Sequence, residues 1–237
     1  MIQQLIGKLL PTNFKKQLIE LFPNYFYTHT CYSQDGEDML LNAFYEGQKS
    51  YKGFFVDVGA HHPTRFSNTM FFYKKGWRGI NIDPTPGSMK KFRQQRSRDI
   101  NLEIAISSEK KPLTFYLFNE PALNGFDGSV ATERDGLGAF KIIGTKEITP
   151  YLLSEVLDKH LPNGQKIDFF TIDVEGIDYD VLTSNNWEKY RPKYIFVESP
   201  LDFNNLRSSK IYTFLQDLGY ELVGKTKRTL LFGTTRS

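Results

Sequence analysis

The side chains able to do chemistry stand at a few abrupt turns. Asp57, His61 and His62 crowd the run GFFVDVGAHHP, Asp83 closes RGINID, Asp173 and Glu175 follow IDFFTI, and Glu198 closes KYIFVE. All but Asp57 lie where a short apolar run ends, which is how a buried strand giving way to a loop reads. In open α/β sheets ligands sit beyond the carboxyl ends of the strands. Acids there can grip ribose hydroxyls or remove a proton, and imidazoles can do the latter or ligate a metal. The turn at Gly59 therefore announces a ligand site.

Two cofactor classes ask for an acid at the end of the second strand. A dinucleotide needs Gly-x-Gly-x-x-Gly after the first strand, so that its pyrophosphate can approach a helix N-terminus. Here the segment is Gly59-Ala60-His61-His62-Pro63, without the second glycine. The only Tyr-x-x-x-Lys, Tyr45 to Lys49, precedes the first strand, the wrong place for a reductase dyad. S-adenosylmethionine has no pyrophosphate. It needs one open glycine turn and an acid roughly 20 to 25 positions on for the ribose, and Asp57, Gly59 and Asp83 fit that spacing.

The elements that must hold these turns alternate in type. Strands are predicted at 54–59, 78–83, 100–107, 167–173 and 193–199, with helices at 67–75, 88–95, 149–160, 178–184 and 208–218 between or after them. Such alternation predicts a doubly wound sheet with right-handed crossovers. Two last strands, YELVGKT and RTLLFGTT, are close enough to form an antiparallel hairpin that a plain dinucleotide sheet lacks. PLTFYLF at 112–118 alternates with period two and reads as an extra strand. Residues 119–146 hold five glycines and little periodicity, so they read as a substrate-binding or lid insertion. Residues 1–32 form a helical extension, with Leu5, Leu9 and Leu10, then Leu18, Leu21 and Phe22 at helical spacing; the domain proper is 33–237. Asp35 and Asp38 read as the cap and acidic first turn of the helix before the first strand, close enough to the cleft for Gln34 to reach a ligand.

Composition narrows the partners. With 40% hydrophobic and 24% charged residues the chain should be globular and soluble, and a net charge of +3 without a basic stripe argues against nucleic acid. The basic stretch Lys90 to Arg98 reads as the solvated face of one helix. No apolar run reaches the roughly 18 residues of a membrane span. One cysteine, Cys31, excludes an internal disulfide, and no secretory signal stands at the N-terminus. A cytoplasmic protein is the expectation.

The pieces SQDGED (33–38), FFVDVGAHHPTRFSNT (54–69), GWRGINIDPTPGSM (76–89) and IDFFTIDVEGIDYDVL (167–182) resemble the FkbM family of S-adenosylmethionine-dependent methyltransferases. The resemblance implies the mostly parallel seven-stranded class I methyltransferase sheet with its antiparallel closing hairpin. It also implies O-methylation, commonly of a sugar or sugar nucleotide destined for a surface glycan. By position, Asp57, Gly59, Ala60 and Ser67 would line the methionine end of the cofactor, Asp83 the ribose, and Ala105 and Ile106 the adenine edge. The family pattern has Asn and Gly where this chain has His61 and Pro63.

Methyl transfer to a hydroxyl requires a proton to leave a very weak acid, by a general base or through a divalent metal. In the class I sheet the first strand neighbours the one ending at Asp173. His61 and His62 could therefore meet Asp173 and Glu198, either as ligands for Mn, Mg or Fe or with His62 as base, and Glu175 stands close by. Asp178 and Asp180 read as solvated acids at a helix start. An NAD-dependent sugar-nucleotide enzyme and a non-catalytic sugar-binding module are the rival readings.

Overall fold

The structure is a computed structural model and describes residues 11–48, 50–199 and 201–234. The chain divides into two units, 1–31 and 32–237. In the first lie α1 (Thr12–Leu21), none of whose residues is buried, and α2 (Pro23–Tyr27). Leu5, Leu9 and Leu10 lie outside the described residues.

In the second unit α3 (Glu37–Phe44) precedes β1 (Phe54–Val58), and α4 (Met70–Lys74), β2 (Arg78–Ile82), α5 (Ser88–Gln95) and β3 (Ile100–Leu102) follow. Next come β4 (Leu113–Phe118), α6 (Gly128–Arg134), β5 (Ile142–Ile148), α7 (Leu153–His160) and β6 (Phe169–Ile172). The chain closes with α8 (Asp178–Thr183), β7 (Tyr194–Glu198), α9 (Lys210–Asp217), β8 (Tyr220–Lys225) and β9 (Thr229–Thr234). Seven strands form one sheet in the order β3-β2-β1-β6-β7-β9-β8. The first five run parallel, and β9 is antiparallel to both β7 and β8. This is the doubly wound sheet with a closing hairpin that the alternation predicts.

Strand periodicity decides which layer each side chain joins. Phe54, Val56 and Val58 point into the larger core, with Leu153, Val156, Val181 and Leu215 from α7, α8 and α9. Phe55 points the other way, into an aromatic cluster of Tyr45, Phe72, Trp77, Phe169 and Phe196. Asp57 shares that second face and is buried there. Its carboxylate accepts a hydrogen bond from Thr69 Oγ1 at 2.8 Å.

Beside it stands Arg96, which the sequence assigns to a solvated helix face but which is fully buried. Arg96 Nε donates to Asp99 at 2.9 Å, and its two terminal nitrogens donate to the Pro63 carbonyl at 3.2 Å and to Thr69 Oγ1 at 3.1 Å. One buried guanidinium thus ties the turn after β1 to the core.

Several elements differ from their predicted bounds for local reasons. α4 starts only at Met70, because Ser67 Oγ takes the Met70 amide at 3.1 Å and Thr69 turns to Asp57, side-chain bonds that compete with a helix. α7 starts at Leu153, because Tyr151 exchanges backbone bonds with Ala105 and Ser107. The helix before β1 is preceded not by an Asp35 cap but by Gly36 at φ +92°; Asp35 is ion-paired with Arg228 at 2.9 Å. The insertion is structured: β4 and β5 form a separate antiparallel pair with α6 between them.

Candidate active site

The register brings the chemistry to one edge. Val58 of β1 pairs with Ile82 of β2 and with Ile172 of β6, and Ile172 pairs with Val197 of β7. Gly59, Asp83 and Asp173 are each the next residue and leave the sheet level with Glu198, the last residue of β7. The Asp173 amide donates to the Val58 carbonyl at 3.0 Å, and both the Gly59 and Ala60 amides reach the Ile82 carbonyl. Gly59 has φ +86°, and a Cβ there would lie 1.7 Å from the Asp173 carbonyl oxygen. Glycine is required because the two turns touch backbone to backbone.

Above this edge opens a cleft whose empty space, counted out through its open mouth, is about 740 Å³. Gln34, Gly59, His61, Asp83, Ile106, Asp173 and Glu175 line it, with Ile104, Pro84 and Phe126 as apolar wall. The Asp83 carboxylate receives the His61 amide at 2.9 Å on one oxygen and the Thr85 amide at 2.8 Å on the other. Burial pushes this carboxyl up, and the amides oppose it.

Asp57, Ala60, Ser67, Ala105, His62 and Glu198 are not among the lining residues. Asp57, Ala60, Ser67 and Ala105 are buried. Asp57 and Ser67 brace the turn from beneath through Thr69 and Met70, and Ala105 accepts the Tyr151 amide behind Ile106.

At the ends of β6 and β7 carboxyl groups crowd together. Enclosure at the cleft base, then the charges of Glu198 and Glu175, push Asp173 well above the usual carboxylate range, although its side chain still meets water. Burial, with Glu175 and Asp178 as neighbours, pushes Glu198 up to about 8, against the pull of Arg134 and Arg228.

Asp178 is buried rather than solvated, receiving the Val174 and Gly176 amides at 3.3 Å each. Burial pushes it up to about 7 from the ordinary 3.8. A carboxyl whose pKa is higher folded than unfolded stabilises the fold below its unfolded value and loses that contribution as pH rises through the folded value. Asp178→Asn should therefore flatten the fall in stability between about pH 5 and about pH 8. Urea denaturation at both values tests this, and a slope equal to the parent's would count against it.

The two histidines part company. His61, at φ +51°, lies against Phe66 with ring centroids 6.4 Å apart, and its Nε2 is buried without a hydrogen-bond partner. Burial and Arg65 hold it below the ordinary histidine value, which favours its neutral form. The His62 ring instead turns to its own loop, where Nδ1 accepts the Thr64 and Arg65 amides at 3.2 and 3.1 Å.

The predicted metal set of His61, His62, Asp173 and Glu198 is therefore not assembled. Among the described residues no group of three or more His, Cys, Asp or Glu is placed to hold a metal ion. His62 is likewise directed away from the role of base at the acceptor.

The insertion meets the cleft through residues that carry no sequence signal of their own. Asn124 donates to Thr85 at 3.2 Å, Arg134 pairs with Glu175, and a Cβ on Gly125 would lie 2.9 Å from that of Glu175. Glu175 itself sits at φ +55°, a strained conformation for a side-chain-bearing residue. Arg65 makes a bidentate bond to Glu120 at 2.8 and 3.2 Å. None of these partners is near in sequence, so only the assembled fold reveals them.

Residues 57–222 match the family model described as the methyltransferase FkbM domain. The chain belongs to the FkbM methyltransferase family. S-adenosylmethionine is accordingly its methyl donor. The cleft offers groups that could receive such a donor: the Asp83 carboxylate, able to accept from hydroxyls, and an apolar wall at Pro84, Ile104 and Ile106 against which a flat ring could lie.

Solved structures similar to this FkbM-family chain include three methyltransferases. A precorrin-6Y C5,15-methyltransferase from Geobacter metallireducens is 12% identical, with 82% of this chain and 89% of that one covered and a TM-score of 0.42. A methyltransferase from Geobacter sulfurreducens is 12% identical, with 99% and 96% covered and a TM-score of 0.42. An O-methyltransferase from Bacillus cereus is 8% identical, with 97% and 94% covered and a TM-score of 0.41. No curated protein sequence matches the chain. Among the described residues no helix is long and apolar enough to cross a membrane.

Proposed function

We propose that the enzyme methylates a hydroxyl of a small polar acceptor, a sugar or sugar nucleotide destined for a surface glycan. One observation carries the oxygen specificity. Asp173 and Glu198 stand at register-aligned ends of β6 and β7 beside the cleft, where enclosure and the repulsion of neighbouring carboxylates raise both carboxyls above the usual carboxylate range, Glu198 to about 8. A hydroxyl must lose a proton as it attacks, and a base whose pKa lies near working pH is suited to take it.

The donor carries the reactive methyl, so positioning is much of the remaining work. Asp83 holds the ribose hydroxyls, Ile106 and Pro84 flank the purine, and the Gly59 turn with Gln34 receives the methionine end. Asp57, Ser67 and Ala105 position these groups from behind. Asp173 faces the acceptor and takes its proton, while Glu198 and Glu175 raise its basicity by charge. The insertion, held on the β6 loop by Arg134 and Glu175, roofs the acceptor and limits access of water.

Incubating the protein with S-adenosylmethionine and a panel of sugars, sugar phosphates and sugar nucleotides should give a mass gain of one methyl on an oxygen. Transfer confined to nitrogen or carbon acceptors would overturn the reading. Calorimetry supplies the cofactor arm. Asp83→Ala should weaken S-adenosylmethionine binding about tenfold to hundredfold, the cost of charge-assisted bonds lost from one carboxylate. Unchanged affinity would remove Asp83 from the ribose.

A further inference from the structure

On the α5 side of the turn after β1, the hydrogen on the His62 ring has a fixed place. Nδ1 accepts from the Thr64 and Arg65 amides, and Thr64 Oγ1 lies 3.2 Å from the same atom. Backbone amides only donate, so Nδ1 must present its lone pair, and the neutral ring carries its hydrogen on Nε2. Burial, then the charge of Lys91, holds the ring below the ordinary histidine value, consistent with that neutral form.

Nε2 lies 3.4 Å from Lys91 Nζ. An ammonium has no lone pair. Two donors therefore face each other with no acceptor between them. Among the described residues no carboxylate forms an ion pair with Lys91, which is exposed on α5. The neighbouring Arg65 adds positive charge, although its guanidinium is held by Glu120 and lies 4.4 Å over the Phe66 ring.

We propose that His62 Nε2–H and the Lys91 ammonium form an oxyanion site at the rim of the catalytic cleft, which holds a phosphate group of a phosphorylated acceptor, a sugar phosphate or nucleotide sugar. An oxyanion with several lone pairs satisfies both donors at once, and the ammonium supplies the opposing charge. Position favours the acceptor over the cofactor as the source. His61 lines the cleft, whereas His62, its ring centroid 6.2 Å away, and Lys91 do not. A donor seated between Gly59, Asp83 and Asp173 lies inside that wall. An acceptor entering over the rim would leave its phosphate outside it. The acceptor half of this inference rests on the sugar-nucleotide reading; the oxyanion site does not.

Titrating the full chain, loaded with S-adenosylhomocysteine, with inorganic pyrophosphate tests the site by calorimetry. The parent should bind and Lys91→Met should bind about tenfold or more weakly, with S-adenosylhomocysteine affinity equal in the two proteins. Nitrogen NMR of the parent should show His62 protonated at Nε2, with that signal moved by pyrophosphate. Equal pyrophosphate affinity in both proteins, or a His62 signal that pyrophosphate leaves in place, overturns the site. Weaker S-adenosylhomocysteine binding in Lys91→Met overturns the assignment to the acceptor and gives the oxyanion to the cofactor's carboxylate. With a phosphorylated sugar as substrate, Lys91→Met should raise KM more than it lowers kcat, and an unchanged KM overturns the acceptor half. A parent that binds pyrophosphate through Lys91 but methylates no sugar overturns the sugar reading while the oxyanion site stands.

Discussion

Asp173→Asn is expected to lower kcat by about 10²- to 10⁴-fold, the range of a lost general base, with S-adenosylmethionine affinity within a few-fold of the parent. The amide keeps the size of the side chain and the backbone bond from Asp173 to Val58, so the β6 turn should persist. What disappears is the lone pair that takes the acceptor's proton. The pH profile gives a second reading of the same group. A base works only when ionised, and Asp173 is held well above the usual carboxylate range, so activity should climb with pH at values well above those where an ordinary carboxyl ionises. Glu198→Gln removes a neighbouring negative charge and should shift the climb to lower pH. An Asp173→Asn enzyme with the parent's kcat would end the role of Asp173 as base.

Arg96→Met should cost about 3–5 kcal/mol of stability, as expected when a buried ion pair loses one partner. For a chain of this size that is a fall in melting temperature of roughly 6–20 °C. The reason is electrostatic rather than steric. Both partners of the Arg96–Asp99 pair are fully buried, and Arg96 also offsets part of the burial that pushes Asp57 up to about 6. Methionine fills most of the volume but leaves both carboxyls without their counter-charge. The Pro63 carbonyl loses its donor too, so the turn that presents His61 should loosen and cofactor binding should weaken with stability. A loss below about 1 kcal/mol, the scale of an exposed pair, would show that the network is not needed for the fold.

The sequence by itself determined the strand ends. An apolar run that stops at an acid is a local signal, and the buried sheet needs those residues whatever surrounds them. That is why Gly59, Asp83, Asp173 and Glu198 could be placed at one edge from the sequence, and why the order of elements with its closing hairpin spoke against a plain dinucleotide sheet, while the motifs around those turns carried the resemblance to the FkbM family. The tertiary structure alone decided where the polar side chains of the turns point. Arg96 stands in a basic stretch that looks solvated, yet it is buried because Asp99, Thr69 and Pro63 converge on it from three places in the chain. Asp178 follows a loop whose amides fold back onto it. His62 serves its own turn and faces Lys91 on α5 instead of Asp173. A turn fixes its side chains through partners brought from elsewhere, and periodicity holds no record of them. The edge of the sheet was legible because burial is periodic, whereas the hydrogen-bond partners that divide acids and imidazoles among their roles exist only once the chain has folded.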